Sequence, residues 1–133
     1  MKLELFIIGI VVLSTSVCAY HSELKDMRET ASWLKADNPK QTIRNTQVFV
    51  VNYVMYEEQK GRSYAEAWQT WRDRKGDCTE ISELTRVLLR YNEVAAYPVR
   101  MSDGMGHLHD ALFTEYGLLY EIPGYRLNGG GYW

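Results

Sequence analysis

Cys78 is the side chain of this sequence best suited to covalent chemistry. A thiol attacks a carbonyl carbon as its thiolate, and the free N–H groups at the start of a helix favour that anion. Because Cys78 follows Gly76-Asp77 and precedes a helical apolar pattern, we expect it to open a helix. The same N–H groups, including that of Cys78, can hold the oxyanion of a tetrahedral intermediate, and Gly76 lets a substrate backbone approach closely.

A thiol nucleophile also needs an imidazole that accepts its proton, and the imidazole needs an acceptor that fixes its orientation. His107 and His109 lie two residues apart in a β-prone segment, where they would face the same side of a strand. Asp110 would face the other side. The third histidine, His21, lies at the expected N-terminus of the mature chain and is a poor candidate.

Turn chemistry helps to choose between these two histidines. A three-residue loop at 115–117, with glycine in its last position, would pair Thr114 with Leu118. In that register His109 and Glu121 share a face and lie diagonal to each other, with roughly 7 to 8 Å between their Cα atoms. The carboxylate of Glu121 is therefore the predicted group that orients the imidazole.

Less reactive interpretations of the same residues stay open. A cysteine without a partner in an oxidising compartment is paired between chains, buried and inert, or reactive, and burial is the simplest alternative for Cys78. His107 and His109 are alternatively loop residues, or zinc ligands together with Asp103 or Asp110. No third ligand falls at a typical zinc spacing, so we expect no metal site.

The first 19 residues have the pattern of a secretory signal peptide. The apolar run at 5–13 is followed by the small residues Val17 and Ala19, which suit cleavage after Ala19. Because the run is shorter than the roughly 18 apolar residues of a spanning helix, an uncleaved membrane anchor is the weaker alternative. Cleavage predicts a secreted or extracytoplasmic protein in which Cys78 is the one remaining cysteine.

Two segments before the cysteine motif are expected to be mainly helical. Residues 20–41 form a polar, helical or linking segment, with the turn signal Asp37-Asn38-Pro39 near its end. Residues 46–59 carry valines and a methionine at helical spacing, which predicts a helix, although their β-branched content also suits a buried strand.

Two further helices bring the chain to and through the cysteine. Ser63-x-x-Glu66 matches a capping box, which opens a helix expected to end near Gly76. The wide apolar face that begins at Cys78 predicts the next helix, which extends to about Tyr91.

Strands are expected in the last third of the sequence. Residues 94–101, 109–114 and 118–122 are apolar and β-prone, and the last two flank a turn as a hairpin. Residues 125–133 hold three consecutive glycines and predict a flexible tail. Helices followed by strands predict an α+β fold, with a small antiparallel sheet packed on the Cys78 helix.

Length and charge limit the remaining possibilities. A chain of 133 residues with ordinary globular composition indicates one domain. The net charge of -2 gives no basic surface for a nucleic acid, so we expect no nucleic-acid partner. The oligomeric state is left open, and a membrane is a partner only if the signal segment stays uncleaved.

The segment Thr70–Glu80, with the leucine-rich residues after it and then Ala95–Arg100, resembles the transglutaminase-like superfamily. Members typically place Gly-x-Cys at the head of a long helix, followed by a short strand and then by histidine and aspartate on two further strands. The segment Val50–Tyr56 is similar to the helix that precedes this motif in bacterial and archaeal members. The resemblance spans about 42–124, which we take as the domain between the 20–41 segment and the tail.

This resemblance implies a papain-like α+β fold with Cys78 as nucleophile, His109 as base and Glu121 in the place usually held by aspartate. It implies acyl transfer from a peptide or side-chain amide through a thioester, with a protein or peptide substrate and no cofactor. Hydrolysis is favoured because the chain lacks the extra domains of large cross-linking members. The family commonly follows its histidine with alanine and an aromatic residue, whereas Asp110 follows His109 here.

An alternative function is a secreted binding module on a catalytically degenerate fold of the same kind. Its recognition surface would be formed by the aromatic residues Trp68, Trp71, Tyr97 and Tyr116. Aromatic residues are, however, more often part of a core.

Overall fold

A computed structural model describes residues 2–58, 61, 63–102 and 108–119, with the backbone alone for 2–16 and 118–119. Its four helices are α1 (Lys2–Leu34), α2 (Pro39–Tyr53), α3 (Ala67–Asp73) and α4 (Cys78–Tyr91). Its strands are β1 (Met55–Tyr56), β2 (Lys75–Gly76), β3 (Tyr97–Ser102), β4 (Leu108–Thr114) and β5 (Gly117–Leu119).

Helix α4 is the central element of the core, and its bounds agree with the sequence prediction. Ile81, Leu84 and Leu88 recur at helical spacing and are buried against the other three helices. Met27 of α1 and Trp71 of α3 are among the buried side chains that they meet. Burial of this apolar face fixes α4, and with it the residue at its start.

The other side of α4 packs against a three-stranded antiparallel sheet with the strand order β3-β4-β5. Cross-strand pairs include Arg100 opposite Asp110 and Tyr97 opposite Phe113. The predicted α+β fold, with the cysteine helix on a small antiparallel sheet, is confirmed.

Helix α2 begins earlier than the sequence pattern predicted. Asn38 caps its first turn by accepting a hydrogen bond from the Lys40 N–H at 2.9 Å, and Pro39 occupies the first helical position. The turn signal near Pro39 is therefore a helix start. The helix ends at Tyr53 rather than near residue 59, because the chain then enters β1, which pairs in parallel with β2.

The capping box of α3 lies three residues later than predicted. Glu66 is the N-cap residue, and its side chain and that of Gln69 satisfy each other's backbone N–H groups. The helix ends at Asp73, and its C-cap residue Arg74 adopts a left-handed conformation with φ of 53°. Gly76 does not terminate the helix, because it is paired with Tyr56 in the small parallel sheet.

Helix α1 runs through the predicted cleavage site after Ala19. Its C-terminal half packs into the core through Met27 and Ala31, which are buried, and the helix extends to Leu34. Within the part of the chain that the structure describes, no helix is both long and apolar enough to cross a membrane.

Candidate active site

Cys78 is the first residue of α4, and its side chain is half-buried. Asp77 is the N-cap residue, and its carboxylate accepts hydrogen bonds from the N–H groups of Thr79 at 3.0 Å and Glu80 at 3.1 Å. Two of the N–H groups expected to hold an oxyanion are therefore engaged. The N–H of Cys78 has no acceptor among the residues that the structure describes, so it is the group left to stabilise an oxyanion.

Gly76 is needed here for packing. A Cβ atom at this position would lie 2.9 Å from Cβ of Glu80. The Glu80 carboxylate is buried beneath Gly76, accepts the Asp77 N–H at 3.0 Å and accepts the Ala65 N–H at 2.7 Å. The turn before Cys78 is thus held by a carboxylate from the helix that it begins.

Asp110 joins the start of α4 to the sheet. Its carboxylate accepts two hydrogen bonds from the Arg100 guanidinium, at 2.7 and 2.9 Å, and one from the Thr79 hydroxyl at 2.5 Å. Its backbone carbonyl accepts the Ser82 hydroxyl at 3.2 Å. Since Thr79 follows Cys78 and Asp110 follows His109, these bonds bring the helix start to the strand of the candidate base.

The charges of this cluster stabilise each other. The hydrogen bonds from Arg100 and then from Thr79 hold the pKa of Asp110 below its usual value near 3.8, against the effect of burial. Hydrogen bonding to Asp110 likewise raises the pKa of Arg100. Both groups are ionised at neutral pH, and the guanidinium stays more than half exposed beside the site.

His109 is buried within β4. Burial lowers its pKa from the usual 6.5, and the negative charge of Asp110 opposes that effect. The imidazole is therefore neutral at pH 7 and able to accept a proton. Neighbouring residues of a strand project from opposite faces, so His109 and Asp110 point to different sides of β4. No hydrogen bond between Cys78 and His109 is found in the described part of the chain.

The hairpin register differs from the predicted one. Thr114 pairs with Gly117 rather than with Leu118, so the loop has two residues instead of three. A shift of one residue exchanges the faces of a strand, and the turn argument no longer selects Glu121. Glu121 itself and the alternative base His107 lie outside the described residues.

No group of three or more histidine, cysteine, aspartate or glutamate residues suited to a metal ion occurs within the described ranges.

Two aromatic residues of the alternative recognition surface differ in burial. Trp71 is buried and stacks on Tyr53, with ring centroids 4.4 Å apart, whereas Tyr97 is exposed. Trp71 therefore belongs to the core.

Replacing Asp110 by asparagine is expected to lower the free energy of unfolding by about 1 to 2 kcal/mol at pH 7, because the carboxylate accepts three charge-assisted or hydroxyl hydrogen bonds. The lowered pKa of Asp110 adds stability that is lost as pH falls through it, so the difference should shrink below pH 3.8. Urea unfolding at pH 7 and below pH 3.8 measures this difference in the free energy of unfolding. Glu83→Gln, which breaks a pair of the same geometry with Arg86, should cost less than about 0.5 kcal/mol.

The sequence interpretation missed Arg100 and Thr79 as parts of this cluster. Arg100 had no local signal, because its role depends on being paired with Asp110 across two strands. Asp77 and Glu80 did have a local sequence signal, because Asp77-x-x-Glu80 has the spacing of a capping box.

Comparison with known proteins gives a match to a protein family. Residues 28–114, more than half of the chain, match a family model described as "Transglutaminase-like superfamily". The matched region runs from within α1 to the last residue of β4, and it includes Cys78 and His109. Comparisons with curated proteins and with solved structures gave no match. The family match and the α+β core together show that the chain belongs to the transglutaminase-like superfamily.

Proposed function

We propose that the protein is a cysteine-dependent hydrolase or acyltransferase that acts on peptide or side-chain amides, with Cys78 as its nucleophile. The superfamily consists in general of cysteine-dependent enzymes. The observation that carries the proposal is the half-exposed thiol on the first residue of α4, where the positive end of the helix favours a thiolate.

The reaction proceeds by acyl transfer. His109 takes the proton of the Cys78 thiol as the sulfur attacks the amide carbonyl, and the N–H of Cys78 donates to the resulting oxyanion. Collapse of the intermediate breaks the C–N bond, the amine leaves with the proton from His109, and a thioester remains. Water then attacks the thioester and gives the acid and the free thiol.

The proposed role of His109 is supported by the resemblance to the superfamily and by its neutral imidazole at pH 7. Catalytic hydrogen bonds are often long or poorly aligned before substrate binds, so the contact with Cys78 is expected to form in the substrate complex. Glu121 is the proposed orienting carboxylate on the ground of the resemblance. Hydrolysis is proposed over transamidation, and export with removal of the first 19 residues belongs to the same proposal.

Alkylation by iodoacetamide tests the proposal, because the uncleaved chain, which still carries Cys18, contains its own control thiol. We expect Cys78 to react at pH 6 at least about tenfold faster than Cys18, which is exposed, since an ordinary thiol is almost wholly protonated at that pH. The rates are measured by mass spectrometry on the Cys18→Ser and Cys78→Ser proteins, each of which retains one thiol.

Equal rates for the two thiols at pH 6 would overturn the proposed nucleophile. The rates of the two proteins should converge near pH 9.5, which lies above the ordinary pKa of a thiol. A protein that unfolds on substitution is recognised by circular dichroism and is then compared through the intact chain, in which the two labelled cysteines lie on separable peptides.

A second candidate function is a binding module on a degenerate fold. Tyr97 and Phe113 favour it, because they face each other across β3 and β4 and are both at least half exposed. In that case Cys78 should alkylate no faster than Cys18 at pH 6. Substitution of Tyr97 would then weaken partner binding without any effect on the thiol.

A further inference from the structure

A groove of about 590 Å³ follows helix α4 from Thr79, the residue after the proposed nucleophile. Thr79, Glu83 and Val87 form its floor, at spacings of four residues along one side of the helix. From Thr79 to Val87 the floor is about 12 Å long at 1.5 Å per residue, which matches three to four residues of an extended peptide. Cys78 directly precedes the first of these floor residues.

The walls of the groove combine apolar surface with aromatic rings. Leu24 of α1, Trp68 and Pro98 of β3 contribute to its lining. Tyr20 packs edge-on against Trp68, with ring centroids 5.5 Å apart, and forms one corner. Such a surface suits aliphatic side chains.

The charge of the groove is negative. Of the described residues that line it, four carry carboxylates, namely Glu66, Glu80, Glu83 and Asp110, and none is lysine, arginine or histidine. Arg86 pairs with Glu83, and Arg100 pairs with Asp110. These two arginines reduce the negative potential of the groove without reversing it. Glu66 is exposed at the groove, where its carboxylate accepts the Trp68 indole N–H at 2.8 Å.

We infer that this groove binds the part of a peptide substrate next to the amide that Cys78 attacks, and that it selects aliphatic residues together with a lysine or arginine. The inference rests on the proposed function. The aliphatic side chains lie along Leu24 and Val87, and the cationic group lies near the carboxylates of Glu66 and Glu83. A peptide with a glutamate in the same place is repelled.

Direct binding tests the groove without any reaction at Cys78. Dansyl-labelled amides of Leu-Lys-Leu, Leu-Gln-Leu and Leu-Glu-Leu are titrated with the full-length Cys78→Ser protein, and fluorescence anisotropy is recorded. We expect the lysine peptide to bind about tenfold more tightly than the glutamate peptide at low salt, and the difference to shrink as salt screens the charges. The Glu66→Gln and Glu83→Gln double variant should reduce the ratio to about threefold or less.

Glu29→Gln is the matched control, because Glu29 is exposed on α1 and lies outside the groove lining. It should leave the preference unchanged. Chloromethyl ketones of the same three acetylated tripeptides then report on Cys78 in the Cys18→Ser protein, and the lysine compound should label it fastest.

Two outcomes are distinguishable. Equal affinity for the lysine and glutamate peptides would overturn the groove inference, even if iodoacetamide labels Cys78 rapidly at pH 6. Slow labelling by iodoacetamide, with the lysine preference retained in the Cys78→Ser protein, would instead remove the nucleophile and reduce the groove to a peptide-binding site.

Discussion

Asparagine in place of His109 is expected to slow acyl transfer through Cys78 at least about a hundredfold at pH 7. The imidazole is the proposed acceptor of the thiol proton and its donor to the leaving amine, and asparagine can do neither. The same substitution should reduce alkylation of Cys78 at pH 6, while the rate near pH 9.5 is retained because the thiol ionises there without a base.

The pH dependence follows from the direction of the shift at this residue. Burial lowers the pKa of His109, so the neutral form persists below pH 6.5 and is lost as pH falls through the lowered value. The wild-type rate should therefore keep most of its value at pH 6.5 and decline at lower pH. The His109→Asn protein should not show this decline of the rate at low pH. In the Asp110→Asn protein the decline should occur at still lower pH, because the negative charge that favours the protonated imidazole is removed.

His107→Asn is the matched control, since it removes the other imidazole of the same segment. We expect it to leave the rate within about twofold of the wild type. Equal losses in both variants, or a loss with His107→Asn alone, would show that the base has been assigned to the wrong histidine. Circular dichroism of both variants separates a lost base from a lost fold.

The sequence predicted the nucleophile helix correctly because the relevant information is local. Ile81, Leu84 and Leu88 repeat at helical spacing within α4, and Gly76-Asp77 comes immediately before it. The position of Cys78 at the helix start was predicted from this pattern, although the capping role of Asp77 was not. The α+β order of elements was visible for the same reason.

The hairpin and the carboxylate cluster depend on contacts that a single sequence does not specify. One residue of difference in the loop between β4 and β5 decides which face each side chain occupies, and the sequence around Gly117 is compatible with both loop lengths. Arg100 and Asp110 are ten residues apart and meet because β3 and β4 pair in one register. The assignment of Glu121 therefore lost its geometric support, whereas Cys78 and His109 did not depend on it.

Replacing Glu80 by alanine is expected to lower the free energy of unfolding by about 2 to 4 kcal/mol, the largest stability effect that we expect near the site. Its carboxylate is 1% exposed and accepts the N–H groups of Ala65 and Asp77. Alanine leaves both donors without this acceptor in a buried region. Urea unfolding followed by circular dichroism measures the change.

Glu83→Ala is the matched control, because Glu83 lies on the next turn of α4 and its partly exposed pair with Arg86 contributes about 1 kcal/mol or less. A loss for Glu80→Ala no larger than that of this control would contradict the role of the buried carboxylate. Glu80→Gln should fall between the two, because one oxygen still accepts while the amide nitrogen faces a donor.

Substitution of Glu80 also links the stability of the fold to the reactivity of the Cys78 thiol. Glu80 accepts the N–H of the residue that caps α4, and the capping residue holds the first turn that carries Cys78. Release of this N–H should loosen that turn and weaken the alignment of its N–H groups with the thiolate. At urea concentrations below the unfolding transition, Cys78 of the Glu80→Gln protein should therefore be alkylated more slowly at pH 6 than Cys78 of the wild type. Glu83→Gln should leave the alkylation rate unchanged.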